Sequence, residues 1–217
     1  MTPRGRRTRS KPKLILIFGE DENDTKTVRE FILALRPDLG ITIEARRNPP
    51  INLRDAPSGA VRSRAERIAR VIDAASVDSD VVAVFAHEDT DAVEPSHVAL
   101  SAKIENAFRS IGYEQVWAAT PAWEMEAWLM QWPEAFAEYL PSWRLLRTAG
   151  RRVGLIDNAK EYAIRELRPG SGRVRDYRES DSPNLANIVR VRSWSRDPRA
   201  VSHSFDLFVE KVDALTV

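Results

Sequence analysis

Carboxylates stand at three places in this chain where a buried strand is expected to end. The first is Glu20, after the run Leu14–Phe18 and Gly19. The second is Asp89-Thr90-Asp91, after the run Val81–Ala86. The third is the pair Glu124 and Glu126, a little beyond Val116–Ala119. Unbroken apolar runs of this kind read as parallel strands covered on both faces. In open α/β sheets, binding sites form outside the carboxyl ends of such strands. Asp89 and Asp91 are two apart, so in extended chain their side chains share one side. Converging carboxylates suit a hard divalent cation such as Mg²⁺ or Mn²⁺. The plainer alternative is that each acid opens a solvated loop or caps the next helix.

Gly19 leaves room for a sharp turn or a close approach. Glu20 is then the first carboxylate past its strand, with Glu22 the second choice. Asp24 or Thr25 is expected to cap a helix running through Arg36, whose Val28, Phe31, Ile32 and Leu35 face inward. At the third place, Thr120-Pro121 predicts an N-cap and a first helical residue, with the helix over 122–130. Met125, Trp128, Leu129 and Trp132 form its apolar stripe, and Glu124 and Glu126 flank that stripe on opposite sides. Periodicity leaves open which of the two would face a cation. His87, just before the Asp-x-Asp pair, can orient a water or touch phosphate, or simply end a strand.

Three carboxylate sites on successive strand ends, in this order, resemble the TOPRIM domain. That is the metal-dependent catalytic domain of topoisomerases, primases and OLD-type nucleases. Its pattern is a Glu after the first strand, an Asp-x-Asp after a later one, and a further acid beyond. Glu20 matches the first position and Asp89-Thr90-Asp91 the second. Here Gly19 precedes Glu20, the reverse of the usual order, which keeps Glu22 open. The segment Trp123–Met130 is similar to one in small TOPRIM-like proteins of bacterial defence loci; it aligns best on Glu126, with Glu124 second. Tyr177–Pro183 resembles a C-terminal motif of the same group. The resemblance covers about residues 13–132 at pattern level. It implies that Glu20, Asp89, Asp91 and Glu126 hold one or two Mg²⁺ or Mn²⁺ ions, with Glu20 alternatively a general acid or base. It also implies a role for Lys160 in stabilising transition-state charge.

The elements that must position these residues alternate. The sequence predicts a strand, the first helix, a second strand at Ile41–Ala45, a helix over 61–76, the strand before Asp89, a helix over about 95–111, and a fourth strand at 114–119. Such alternation predicts an α/β fold, a TOPRIM-like parallel sheet flanked by helices. The loop through Pro49-Pro50 and Pro57-Ser58-Gly59 is long for such a unit and can line the site. After Trp132-Pro133 the pattern is helical, so three parts are expected: a basic arm at 1–12, the catalytic domain at 13–132, and a helical extension at 133–217. In the extension, helices are expected from Asn158 to Leu167, stopped by Pro169–Gly172, and from Ser182-Pro183. A packing helix with Phe205, Leu207, Phe208 and Val212 should follow.

The 217 residues are 43% hydrophobic, enough for a sizeable core. There is no cysteine, so no disulfide framework and no zinc-thiolate site. No apolar run approaches the ~20 residues that span a bilayer. No Walker loop and no Gly-x-Ser-x-Gly elbow occurs, which leaves nucleotide hydrolysis and serine acyl transfer unsupported. The net charge is +1, but the first 13 residues carry six Arg or Lys and no acid. Such an arm, with Arg4, Arg6 and Arg7, can bind phosphate backbone or merely solubilise. Further basic clusters occur at Arg46-Arg47, Arg62–Arg70, Arg144–Arg152 and Arg165–Arg178; Arg62–Arg70 reads as a solvated helix face. Tyr177-Arg178 can bind phosphate or a partner.

The expected activity is therefore metal-dependent cleavage of DNA or RNA, tRNA included, in the cytoplasm. The resemblance implies an anti-phage effector acting with an AAA- or ABC-type ATPase partner, and a homo-oligomer is compatible with it. The competing expectation is a subunit of the same fold that binds nucleic acid or the ATPase without cutting.

Overall fold

The computed structural model describes residues 10–168 and 175–216. Four strands form one all-parallel sheet: β1 (Lys13–Phe18), β2 (Thr42–Arg46), β3 (Asp80–His87) and β4 (Val116–Ala119), in the spatial order β2-β1-β3-β4. The connecting helices are α1 (Glu22–Leu35), α2 (Ser58–Ser76) and α3 (Ser96–Arg109). Five more follow: α4 (Met125–Leu129), α5 (Pro133–Tyr139), α6 (Ala159–Leu167), α7 (Ser182–Val191) and α8 (His203–Asp213). The expected α/β sheet with helical C-terminal region is what the chain forms. Among the described residues, no helix is long and apolar enough to cross a membrane.

Alternation along the central strands assigns each face its helices. Ile15, Ile17, Ala83 and Phe85 pack with α1 and with α4 to α8. Leu14, Leu16, Phe18, Val84 and Ala86 point the other way, onto α2 and α3. Among the described residues, the extension expected at 133–217 has no core of its own. Leu185, Val189, Phe205, Phe208 and Val212 join the core of β1 and β3, and Trp128 packs edge-on against Phe205 and at a tilt against Phe208.

Register sets the site. Phe18 pairs with Ala86, Ala86 with Ala118, and His87 with Ala119. The chain leaves β1, β3 and β4 at nearly the same level, so Glu20, Asp89 and Glu124 emerge on one edge. Gly19 is needed there: a Cβ on it would lie 2.7 Å from Thr25 Cγ2.

A candidate cation site at the strand ends

Seven carboxylates from four parts of the chain meet at that edge. A cavity of about 210 Å³ is lined by Glu20, Asp21, Asp24, Asp89, Glu124, Glu126, Glu179 and Ser182. The ends of β1, β3 and β4 supply some of them, and α1 and the segment before α7 supply the rest.

The floor is β3. His87 is fully buried at the strand end, with Nε2 3.4 Å from Asp89 Oδ1 and Nδ1 3.9 Å from Asp24 Oδ2. Burial disfavours its charge, but Asp24 and Asp89 outweigh burial and lift the imidazole to about 9. His87 is thus an internal counter-charge to the acids. Asp24 shows the opposite balance: burial lifts its carboxyl to about 7, against the pull of His87. Asp89 Oδ1 is buried and has no hydrogen-bond partner among the described residues. The His87 imidazole at 3.4 Å is its nearest positive group, which leaves a lone pair for a further partner.

Glu126 is the most buried of the acids lining the cavity, 3% exposed, on the first turn of α4. Desolvation lifts its carboxyl to about 8, although the Tyr177 hydroxyl donates to Oε1 at 2.8 Å. Tyr177 in turn shares a 2.6 Å hydrogen bond with Ser182. Asp181 holds this segment in place. Its buried carboxylate accepts from both terminal nitrogens of Arg175 at 2.7 Å and from Tyr139 at 2.9 Å.

The helix expected over 122–130 is shorter. Trp123 has φ +58°, and helical structure starts only at Met125, with Glu124 as extended N-cap. The opposite-sides argument for Glu124 and Glu126 therefore does not apply, and both reach the cavity. Glu124 Oε2 accepts the Lys160 backbone N–H at 3.0 Å, and Lys160 Nζ lies 3.5 Å from Glu124 and 2.8 Å from Glu179. Lys160 is therefore at the rim, its cation strengthened by Glu179 first.

Asp91 departs from expectation. Its φ of +49° breaks the extended geometry that would align it with Asp89. Its carboxylate instead pairs with Arg54 at 2.7 Å and does not line the cavity. Arg54 belongs to the long loop before α2, which does approach the site. Glu88 fixes that loop by accepting from the N–H groups of Leu53 at 2.8 Å and Arg54 at 2.6 Å. Arg54 also donates to the Asp89 carbonyl at 2.8 Å.

Other expected residues fall elsewhere. Asp21, not Asp24 or Thr25, caps α1, accepting from Asn23 and Asp24 N–H at 2.6 and 2.9 Å. Glu22 turns to solvent and pairs with Lys26 at 2.6 Å. Arg46 ends β2 and pairs with Glu44, and Arg47 and Arg178 are exposed away from the lining. Arg4, Arg6 and Arg7, and the expected helix stop at Pro169–Gly172, lie outside the described residues. The residues not singled out for the site from sequence are Arg54, Asp21, Asp24 and Glu179. Only the proline-rich loop and the Tyr177–Pro183 segment hinted at two of them.

Oxygen donors with one unpartnered buried oxygen fit a hard cation. Among the described residues, no three carboxylates or histidines form a ready-made metal shell. Carboxylates this close repel each other, and a cation would relieve that. Comparisons with family models, with curated proteins and with solved structures returned no match.

Proposed function

We propose that this protein is a metal-dependent nuclease of TOPRIM-like arrangement, cleaving phosphodiester bonds of DNA or RNA. The observation that supports it most is the meeting of Glu20, Asp89, Glu124 and Glu126 in one cavity at the carboxyl ends of parallel strands. Glu20, Asp89 and Glu126 would hold Mg²⁺ or Mn²⁺, with Glu124 beside them. The bound ion would polarise the scissile phosphate and offset charge on the leaving oxygen.

The chain's own groups would do the rest. Burial first and then Asp89 raise the Glu20 carboxyl, which favours proton exchange by it as general acid or base. Lys160 offers a cation at the rim. Arg54 can turn from Asp91 to a phosphate oxygen, freeing Asp91 for the cavity. Tyr177 and Ser182 hold Glu126 in one orientation. The resemblance to small defence-locus proteins extends the proposal to a cytoplasmic anti-phage effector working with an ATPase partner.

A second reading has its own support: the carboxylates form no ready-made shell and Asp91 is committed to Arg54. On that reading the chain binds nucleic acid or the ATPase without cutting. Incubating the protein with labelled DNA and tRNA in Mg²⁺ and in Mn²⁺ separates the two. Cleavage lost in Asp89→Asn and Glu126→Gln supports the nuclease. No cleavage and no Mn²⁺ binding by calorimetry would leave the adaptor.

A further inference from the structure

A second cavity, of about 660 Å³, has the opposite chemistry. Arg144, Leu145, Arg147, Arg165 and Glu166 line it. Its walls come from the segment after α5 and from the end of α6. That segment is anchored in depth. Leu146 is buried, the Arg144 N–H donates to the Leu167 carbonyl at 3.0 Å, and the Thr148 hydroxyl donates to the Met130 carbonyl at 2.8 Å. Exposed Arg144 and Arg147 therefore stand on fixed backbone.

Elsewhere in this molecule an exposed arginine commonly has an acidic partner. Arg62 meets Glu66, Arg109 meets Glu114, Arg190 meets Glu30 and Arg192 meets Glu138. The run Arg144–Arg152 holds four arginines and no acid. Among the described residues, no salt bridge reaches any of those four. The stretches outside the description, 1–9, 169–174 and 217, contain no Asp or Glu to supply one. Arg165 has only its neighbour Glu166, at 3.1 Å. Two of the cations are pre-oriented: the guanidinium carbons of Arg151 and Arg165 lie 5.8 and 5.2 Å from the Tyr162 ring centre. Arg151 also donates to the Tyr162 hydroxyl at 2.7 Å. Concentrating unneutralised like charge opposes folding, so an external polyanion is the fitting complement.

We infer that this cavity binds the sugar-phosphate backbone of a nucleic acid. Guanidinium forks match phosphate oxygens, and separate forks on an open surface suit a chain of phosphates. The inference rests on the nuclease reading only in naming nucleic acid as the polyanion. Helix α6 links the two places. Lys160 meets Glu124 near its start, and Arg165 lies five residues on, a rise of about 7.5 Å at ~1.5 Å per residue. That is roughly two steps of a nucleic-acid strand at ~3.4 Å each.

The test is fluorescence anisotropy of short labelled DNA and RNA strands with the full chain in EDTA, across a salt series. Arg144→Glu/Arg147→Glu should lose about tenfold or more in affinity and flatten the salt slope by about two ions. The single Arg147→Ala should lose severalfold, with melting curves checking that both variants fold. The matched reversal Arg67→Glu/Arg70→Glu on α2 should bind as wild type. Unchanged affinity in the cavity variants, equal loss in the α2 variant, or no binding by wild type would each overturn the inference. So would displacement by inorganic phosphate but not by chloride of equal ionic strength, which would mark a single-phosphate site. Cavity-dependent binding without any cleavage in Mn²⁺ would uphold this site and refute the nuclease reading. Cleavage with unchanged binding in the cavity variants would do the reverse.

Discussion

The two cavities are built by opposite means. The acidic one is made where a sheet edge, α1, α4 and the segment before α7 converge, and its acids run from buried Glu126 through half-buried Asp21, Asp24, Asp89 and Glu124 to exposed Glu20 and Glu179. Its local cations are engaged: His87 with Asp24 and Asp89, Lys160 with Glu124 and Glu179, Arg54 with Asp91. The arginine cavity is made of exposed side chains on irregular chain and a helix end, and its charges are largely unopposed. Burial tunes proton affinity and fixes orientation, which serves chemistry. Exposed, unpaired charge serves attraction at a distance. Substitutions in the first cavity should therefore change rate with little change in binding, and those in the second should do the converse.

The largest effect is expected at Asp89 and Glu126. Asp89→Asn and Glu126→Gln keep size but remove charge, and cleavage in Mn²⁺ should fall about 10²-fold or more. Both proteins should stay folded: Asp89→Asn relieves repulsion among the carboxylates, and Glu126→Gln keeps an acceptor for the Tyr177 hydroxyl. Full activity in Glu126→Gln beside a dead, folded Glu124→Gln would transfer the role to Glu124.

How much of this was open to reading from sequence follows from which geometry is local. The bounds of β1 and β3 were visible because an apolar run is a local signal, and Glu20 and Asp89 followed from where the runs stop. Helix α4 was misjudged because Trp123 takes a left-handed conformation, which no propensity favours for a tryptophan. The extended geometry expected for Asp91 is broken by a left-handed φ of +49° at that residue. Asp24 and Glu179 reach the cavity, and Arg54 reaches Asp91 beside it, only through tertiary packing: the capped start of α1, the segment held by Asp181, and the loop clamped by Glu88. The arginine cavity needed 144–147 and 165 to meet across α6, which no window of sequence shows.

Next in size is the loss of a supporting hydroxyl. Tyr177→Phe removes the donor to Glu126 and leaves a buried carboxyl with less support. The rate should drop about tenfold with KM unchanged, and the drop should shrink at higher pH, where Glu126 ionises regardless. A rise in KM alone would make Tyr177 a substrate contact rather than a support for Glu126.

Protonation gives a comparable and independent reading of the same burial. Burial raises Glu126 from 4.5 to about 8, so between those values the folded chain keeps a proton that the unfolded chain has released. Its contribution to stability is full below 4.5 and is lost as pH rises through 8. His87, raised from 6.5 to about 9, acts in the same direction over its own window. In EDTA the melting temperature should therefore decline by several degrees from pH 5 toward pH 9 (roughly 2–4 °C per kcal/mol for a chain of this size). Glu126→Gln should flatten the part of that decline below pH 8. An equally steep decline in that variant would show that Glu126 ionises normally in the folded chain.

A smaller effect is expected where the two kinds of charge meet. Arg54 lies against Asp91 and the Asp89 carbonyl, yet is proposed to turn to phosphate. Arg54→Gln should raise KM about tenfold, the scale of one charge-assisted hydrogen bond, with a lesser fall in kcat. Arg54→Lys should recover only part, since a point charge replaces a fork. If kcat alone fell, Arg54 would belong with the buried acids and not with the attracting cations.

The smallest effect tests whether position beyond a strand end is enough. Glu20 and Glu22 are two residues apart, and sequence left both open as the first-strand carboxylate. Glu20 lines the acidic cavity and feels Asp89, whereas Glu22 faces solvent on the first turn of α1 and pairs with Lys26. An exposed i,i+4 pair is screened and holds two long side chains at an entropic cost, so its removal should be nearly silent. Glu22→Gln should leave cleavage rate, affinity and melting temperature at wild-type values, while Glu20→Gln loses rate. Rate loss in Glu22→Gln comparable to that in Glu20→Gln would mean that α1 unwinds at its start during turnover, releasing Glu22 from Lys26 and bringing it into the site.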